Sequence, residues 1–428
     1  MKHKKLFISL TAVLTVLVFF GIFILLWFVG DSYKDFKKFN KEFAIQGLDE
    51  GAIPQGITAY YANYSVVDEN GKSITKTQQY FLVSAYMNDG SPSRIYVTGQ
   101  DTGYIGFVTI KDLQGAPFYG HVGGIATNGA RVWIADGDSV AVVKSSAEYG
   151  SENILKEIID KATKNSERED GEEIYSIQFT ASFKANCNVA FLYYSDDSRY
   201  TGTTYDRLYV GEFYRKGNYE TDKSHRLKTN SGYKNTALMY EYNIDGSNSQ
   251  NPYGLTRLTD ANLTEENKVP KIQKIYSLPE KIQGIAFSKR TGYSTNDGIL
   301  VLSQSYGLSN SHLLCFDWSK VNETSNRALY YQVANHDFVY EGVYNKFSQE
   351  YIDNSLYVYY VDKGNKDMFV NDYSVPSMSE GMCIITPYGQ NPASIGRIYV
   401  LFESGSKKYN KFTREKIKNV YSFTPHAK

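Results

Sequence analysis

The sequence predicts an all-β protein. It reads as a five-bladed β-propeller with four-stranded blades, an N-terminal strand closing the last blade, and an N-terminal transmembrane helix ahead of it. Three observations lead there. A short phrase recurs five times, strand-sized runs fall into groups after each copy, and residues 6–29 form one uncharged apolar run.

The phrase reads QGIT (55–58), GGIA (123–126), CNVA (187–190), QGIA (283–286) and EGMC (380–383). Its second position falls at 56, 124, 188, 284 and 381, so successive gaps are 68, 64, 96 and 97. A phrase returning once per similar-sized unit marks a repeat architecture.

Between the copies lie short runs rich in β-branched and aromatic residues, bounded by Gly, Asn, Asp and Pro, as an all-β fold requires. Blade one takes 56–62, 79–86, 93–99 and 106–113, and blade two takes 123–129, 131–137, 139–145 and 173–181. Asn128-Gly129, between the first two strands of blade two, is a strong hairpin signal, because a type I′ turn needs positive φ at both central residues. Blade three takes 188–196, 207–213, 236–244 and 271–279; blade four takes 284–290, 298–305, 312–318 and 355–362. Blade five has 381–387, 397–404 and 418–425, then runs out of chain. Residues 41–48 supply its missing outer strand, which closes a ring of radially repeated sheets.

Within this pattern, 151–165 carries apolar residues at helical spacing and reads as a helix inserted between the third and fourth strands of blade two. Residues 219–233 and 246–253 read as polar loops of blade three, and 326–353 as an insertion in blade four.

The apolar run of 24 residues is long enough to cross a membrane at about 1.5 Å per residue. No small-residue cleavage site follows it, so it reads as an uncleaved, single-pass signal anchor. Residues 1–5 would then be a cytoplasmic tail, 30–40 a stalk and 41–428 an extracellular propeller at the cell membrane.

Composition excludes some functions. Lys plus Arg and Asp plus Glu both number 46, so no basic footprint for nucleic acid exists. The 38 Tyr are read mainly as sheet packing, since aromatics suit half-buried pleated surfaces. Cys187, Cys315 and Cys383 lie in apolar runs with no metal spacing and read as buried free thiols.

The runs IPQGIT, GHVGGIAT, KIQGIAF and SEGMCII with RIYVLFES resemble those of bacterial exported propellers of the broad NHL, gluconolactonase-like and YncE-like group. The resemblance spans about residues 41–428. It implies the fold, and it leaves lactonases, phytase-like proteins and plain binding scaffolds all open.

Candidate site residues follow from the repeat. The residue before each repeat glycine leads into the innermost strand, which singles out Gln55, Gln283 and Glu380, with His121 two residues before Gly123. Aligning the second strands adds Asp136, Glu212, Gln304 and Glu403. Together they describe a polar, mildly acidic mouth of a central channel, suited to a cation, an amine or a hydroxylated ligand. The favoured reading is a membrane-anchored scaffold for an extracellular ligand or protein. The alternative is a metal-assisted hydrolase or lyase, with His121 as base and Glu380, Glu403 and Asp136 as ligands. Oxygen ligands of that kind suit Ca2+ or Mg2+. No HExxH, G-x-S-x-G or Walker motif occurs, so no catalytic residue is assigned.

Overall fold

The structure, a computed structural model, describes residues 33–425 except 34, 68, 150–152, 186, 198–204, 246–250, 258–269, 290–297, 330–355 and 386–395. The expected membrane helix at 6–29 lies outside the described residues. Among those described, no helix is long and apolar enough to cross a membrane.

Five antiparallel-based sheets form the ring, and the chain closes it as expected. Strand β1 (Asn40–Ala44) is the outermost strand of the last blade and pairs with the last strand of the chain, Asn40 opposite Ser422. Blade one holds β2 (Ala52–Val67), β3 (Ser73–Met87), β4 (Arg94–Gly99) and β5 (Gly103–Lys111). Blade two holds β6 (Ile125–Thr127), β7 (Arg131–Asp136) and β8 (Ser139–Lys144). Two short strands follow, β9 (Ser176–Gln178) and β10 (Ala181–Lys184).

Blade three holds β11 (Val189–Ser195), β12 (Arg207–Glu212), β13 (Ala237–Asn243) and β14 (Ile272–Leu278). Blade four begins with β15 (Ile282–Lys289), β16 (Gly298–Gln304) and β17 (Ser311–Asp317). After β18 (Arg327–Leu329) and β19 (Tyr357–Tyr360) it is completed by β20 (Phe369–Val375). Blade five is β21 (Ser379–Ile385), β22 (Arg397–Phe402) and β23 (Asn419–Phe423) with β1.

Two fourth strands differ from the sequence expectation. In blade two the outer strand is β10, not 173–181; β9 instead runs parallel to β5 and extends blade one. In blade four the outer strand is β20, not 355–362; β19 runs parallel to β14 and makes blade three six-stranded. Both misplaced runs cross to the neighbouring blade and cover its edge, which would otherwise present unpaired backbone groups.

The helix Ile154–Glu167 lies between β8 and β10. It buries Ile154, Leu155, Ile158 and Ala162 into the core shared by blades one and two. The tyrosines pack between blades as their sheet-packing reading requires. Tyr276 lies 5.0 Å from Trp318, and Phe287 lies 4.5 Å from the same indole. All three cysteines are free and buried.

The repeat phrase proves to be the point where blades touch at the axis. A Cβ on Gly381 would meet the Gly56 Cα at 2.9 Å, and one on Gly56 would meet the Ile125 nitrogen at 2.7 Å. Likewise Gly124 would strike the Leu192 nitrogen at 2.4 Å, and Gly284 the Glu380 carbonyl at 2.8 Å. Only a residue without a side chain allows backbones to approach this closely. Serines staple the same level: Ser84 donates to the Val122 carbonyl at 3.0 Å, and Ser303 and Ser379 share a hydrogen bond of 2.7 Å.

In four of the five blades the innermost strand is bulged beside this contact. The pairing slips between Pro54 and Gly56, between Ile282 and Gly284, between Val189 and Phe191, and between Ser379 and Met382. In blade three the bulge sits at Ala190, so the copy read at Cys187 is three residues early. There Phe191 follows the bulge and the glycine stands opposite it, at Gly211, whose Cβ would fall 1.9 Å from the Phe191 ring.

Gly124→Ala is expected to lose at least about 2 kcal/mol of stability, because backbone rather than a mobile side chain must move. Gly90→Ala, with φ 81 and nothing within 4 Å, should cost only the left-handed backbone penalty of about 1 kcal/mol. Urea titrations of both variants check the difference, and equal losses would remove the close-packed axis from the account.

Candidate functional site

Each innermost strand begins at one end of the ring, the leading end, and finishes at the other, the trailing end. A β-bulge turns its extra residue out of the regular ladder and re-aims the side chain. At the leading end this places Gln55 and Glu380 beside Glu403, which follows β22. Gln55 Nε2 donates to Glu403 Oε2 at 3.0 Å and to the Pro54 carbonyl at 3.0 Å. The Glu380 and Glu403 carboxyls are hydrogen-bonded to one another.

Glu380 is buried and Glu403 reaches solvent in part. Burial pushes the Glu380 carboxyl well above the usual range, and the neighbouring Glu403 charge adds to it. Burial likewise pushes Glu403 up, to about 7, against the opposing hydrogen bond from Gln55 and the Lys408 charge. Two carboxyls this close cannot both ionise at low cost, so the pair holds a proton between them.

The rim of this pair was not foreseen. Lys408 donates to the Tyr86 hydroxyl at 3.2 Å, and the Tyr86 and Tyr409 hydroxyls are 3.4 Å apart. Burial raises the Tyr86 phenol, with the Tyr409 hydrogen bond next in effect. His121 stacks on the Tyr86 ring at 4.4 Å. Desolvation of the imidazole there, then the Lys408 charge, holds its pKa below the ordinary value. The legible signal for this rim is the run Lys407-Lys-Tyr-Asn-Lys411 in the connection after β22.

The other candidate residues are placed elsewhere around the leading end. Glu212 is buried in blade three, where it accepts from Leu238 N at 2.8 Å and meets His225 Nδ1 at 2.8 Å. Burial raises its pKa and the His225 contact opposes that. Asp136 ends β7; burial, then the Asp138 charge, raises its carboxyl, and Lys184 opposes. Gln304 donates to the Glu280 carbonyl at 2.8 Å, and Gln283 is the bulge residue of blade four. Among the described residues, no three His, Cys, Asp or Glu converge as a metal ion requires.

At the trailing end the surface is concave. Past the glycine contacts a cavity of about 60 Å³ lies on the axis, lined by Thr58, Tyr61, Tyr193 and Ile384. Tyr60, Tyr61 and Asp196 line both this cavity and a groove of about 980 Å³. The groove runs between the β2–β3 hairpin and the helix Ile154–Glu167. Asn63, Tyr64 and Thr77 line it from the hairpin, and Lys156 and Asp160 from the helix. It exists because β2 and β3 are 16 and 15 residues long and overhang their blade. The readings 56–62 and 79–86 stopped short, although Asn70-Gly71 carried the hairpin signal, with Gly71 at φ 76.

No family model matches the sequence, and no curated protein matches it. Among solved structures, one described as the Dos1 propeller matches at 7% identity and a TM-score of 0.28, covering 91% of this chain and 76% of that chain. The assignment as a five-bladed propeller rests on the five sheets and their closure by β1.

The acid pair makes stability depend on pH. Both carboxyls hold a proton more tightly folded than unfolded. Their contribution is therefore complete below the unfolded value of 4.5 and is lost as pH rises through about 7 for Glu403. The melting temperature should fall between about pH 5 and about pH 8, and Glu380→Gln should flatten that fall, since its amide donates to ionised Glu403 without a shared proton. Calorimetry across pH checks both, and an unchanged slope in the variant would assign the dependence to other groups.

Proposed function

We propose that the chain is a binding scaffold, carried outside a membrane by its apolar N-terminal run, with the trailing-end groove as its ligand surface. The observation that carries this is the contrast between the two ends. At the leading end the innermost strands crowd together at the glycines, and Gln55 binds one member of the acid pair. The trailing end opens into a groove whose volume suits a ligand of several rings.

The groove's chemistry favours a hydroxylated, ring-faced ligand such as an oligosaccharide. Tyr61 and Tyr64 offer flat faces. Asn63, Thr77, Asp160 and Lys156 offer donors and acceptors along both walls. The likeness of the repeat phrases to NHL, gluconolactonase-like and YncE-like propellers is part of the same proposal.

A second reading places hydrolysis at the leading end. The observation behind it is Glu403, partly exposed, with its carboxyl held near 7, where a general acid or base works well. Its metal-assisted form fits the residues poorly. Ca2+ takes about six to eight oxygens, whereas this end offers two carboxyls that share a proton.

Soluble chito- and malto-oligosaccharides are expected to raise the melting temperature, by up to about 2.7 kcal/mol of stabilisation at about a hundredfold excess over Kd. Tyr64→Ala should remove the effect, measured against that variant's own unliganded melt, which falls because Tyr64 also packs on the core beneath the hairpin. Stabilisation by none of these sugars would overturn the ligand class. Turnover of ester, lactone or phosphate substrates, lost in Glu403→Gln and kept in Tyr64→Ala, would favour the second reading.

A further inference from the structure

The first described residues show where the chain enters the ring. Tyr33 donates to Asn310 Oδ1 at 3.2 Å, on the β16–β17 connection, and Arg414 lies 5.9 Å from the Tyr33 ring. Both belong to the leading end. From there the chain descends the outside of the seam between blades four and five. Phe36 packs 4.6 Å from Tyr421, and Phe39 stacks at 4.4 Å on Phe423 before β1 turns back. The stretch read as a stalk is thus held against the ring from Asp35 onward. The four Cα steps from Val29, the last apolar residue, to Tyr33 span at most about 14 Å.

The connection beside Tyr33 is basic, although its last lysine, Lys418, is paired with Asp49. Between Ser404 and Lys418 it carries six Lys or Arg against one acid, Glu415, in a chain whose net charge is zero. Lys407, Lys411 and Lys416 are exposed, and among the described residues no carboxylate pairs with them. Phe412 stands between them with 62% of its surface exposed. The loop is not slack: Phe412 N donates to the Tyr409 carbonyl at 2.8 Å, and Thr413 Oγ1 to the Ser404 carbonyl at 3.0 Å.

We propose that this loop rests on anionic lipid headgroups, so that the leading end faces the membrane and the groove faces away from it. Cations within a Debye length of about 8 Å of an anionic surface are drawn to it, and an exposed aromatic ring suits the interfacial zone. Fixed attachment of residues 35–39 makes the orientation a property of the fold rather than of a loose tether. The proposal rests on the membrane anchoring in the preceding reading and adds which face meets the bilayer and which lipids it prefers.

The test is hydrogen exchange on the full chain in nanodiscs of phosphatidylcholine alone or mixed with phosphatidylglycerol. Amides of residues 407–416 should exchange at least about threefold more slowly in the anionic discs, and the triple variant K407Q/K411Q/K416Q should lose that difference. Equal exchange in both lipids, or protection at the 67–73 hairpin tip instead, would overturn the orientation while leaving the anchor intact. Release of the full chain from phosphatidylcholine vesicles by alkaline carbonate would overturn the anchor and the orientation together.

Discussion

Backbone contact between innermost strands at the axis is the constraint on which the rest of this molecule depends. Gly381 lies against Gly56, Gly56 against Gly124 and Ile125, Gly124 against Phe191 and Leu192, and Gly284 against Gly381. Packing this tight leaves no room for a side chain, so sequence at these positions is dictated by space alone. At this level the innermost strands of neighbouring blades meet backbone to backbone.

The bulge is the companion of the glycine. Where strands come so close, one residue is forced out of the ladder in four of the five blades, at the leading end. Most of these displaced groups are absorbed by the fold. Gln55 follows β1 in the chain and Glu403 belongs to the C-terminal strands of blade five, so their hydrogen bond crosses the junction between N-terminal and C-terminal segments that closes the ring. The same junction carries the β1–β23 pairing and the Gly381–Gly56 contact. A buried, proton-sharing acid pair is costly unless its remaining polar sites are met. Gln55 and the proton itself meet part of that need, and the Lys408 charge acts from nearby. This arrangement reads first as ring closure, with chemistry as its secondary possibility.

The parts legible in the sequence are those under the tightest spatial constraint. QGI, GGI, QGI and EGM stood out because only glycine fits the axis, and 41–48 could be assigned to the last blade because a ring has one gap. The outermost strands carry no such constraint. The runs 173–181 and 355–362 have the composition of a strand, yet β9 and β19 pair in parallel with the neighbouring blade. No turn residue encodes a parallel pairing between distant segments, so spacing could not reveal it. Blade three misled for another reason: the space at the axis is kept by moving the glycine to the partner strand, as Gly211 opposite Phe191. Aligning by glycine then slid the phrase to Cys187, while Glu212, read from the second strands, stands opposite Val189 as Gln304 stands opposite Ile282, and is held there by His225 and Leu238.

The two ends of the ring are not equivalent, and the β2–β3 hairpin shows why. Its overhang adds no strand to the ring, and a two-stranded extension is marginal by itself. Here it is propped. Tyr60, Ala62 and Tyr64 pack onto the core that takes Ile154, Leu155 and Ile158 of the helix. The helix is fixed in turn by buried Glu157, which accepts from Ser146 N at 2.7 Å and from Lys161 Nζ at 2.6 Å. Hairpin and helix therefore support each other across a gap that neither fills. Closure of the ring requires neither element. What their mutual support maintains is the concave surface between them.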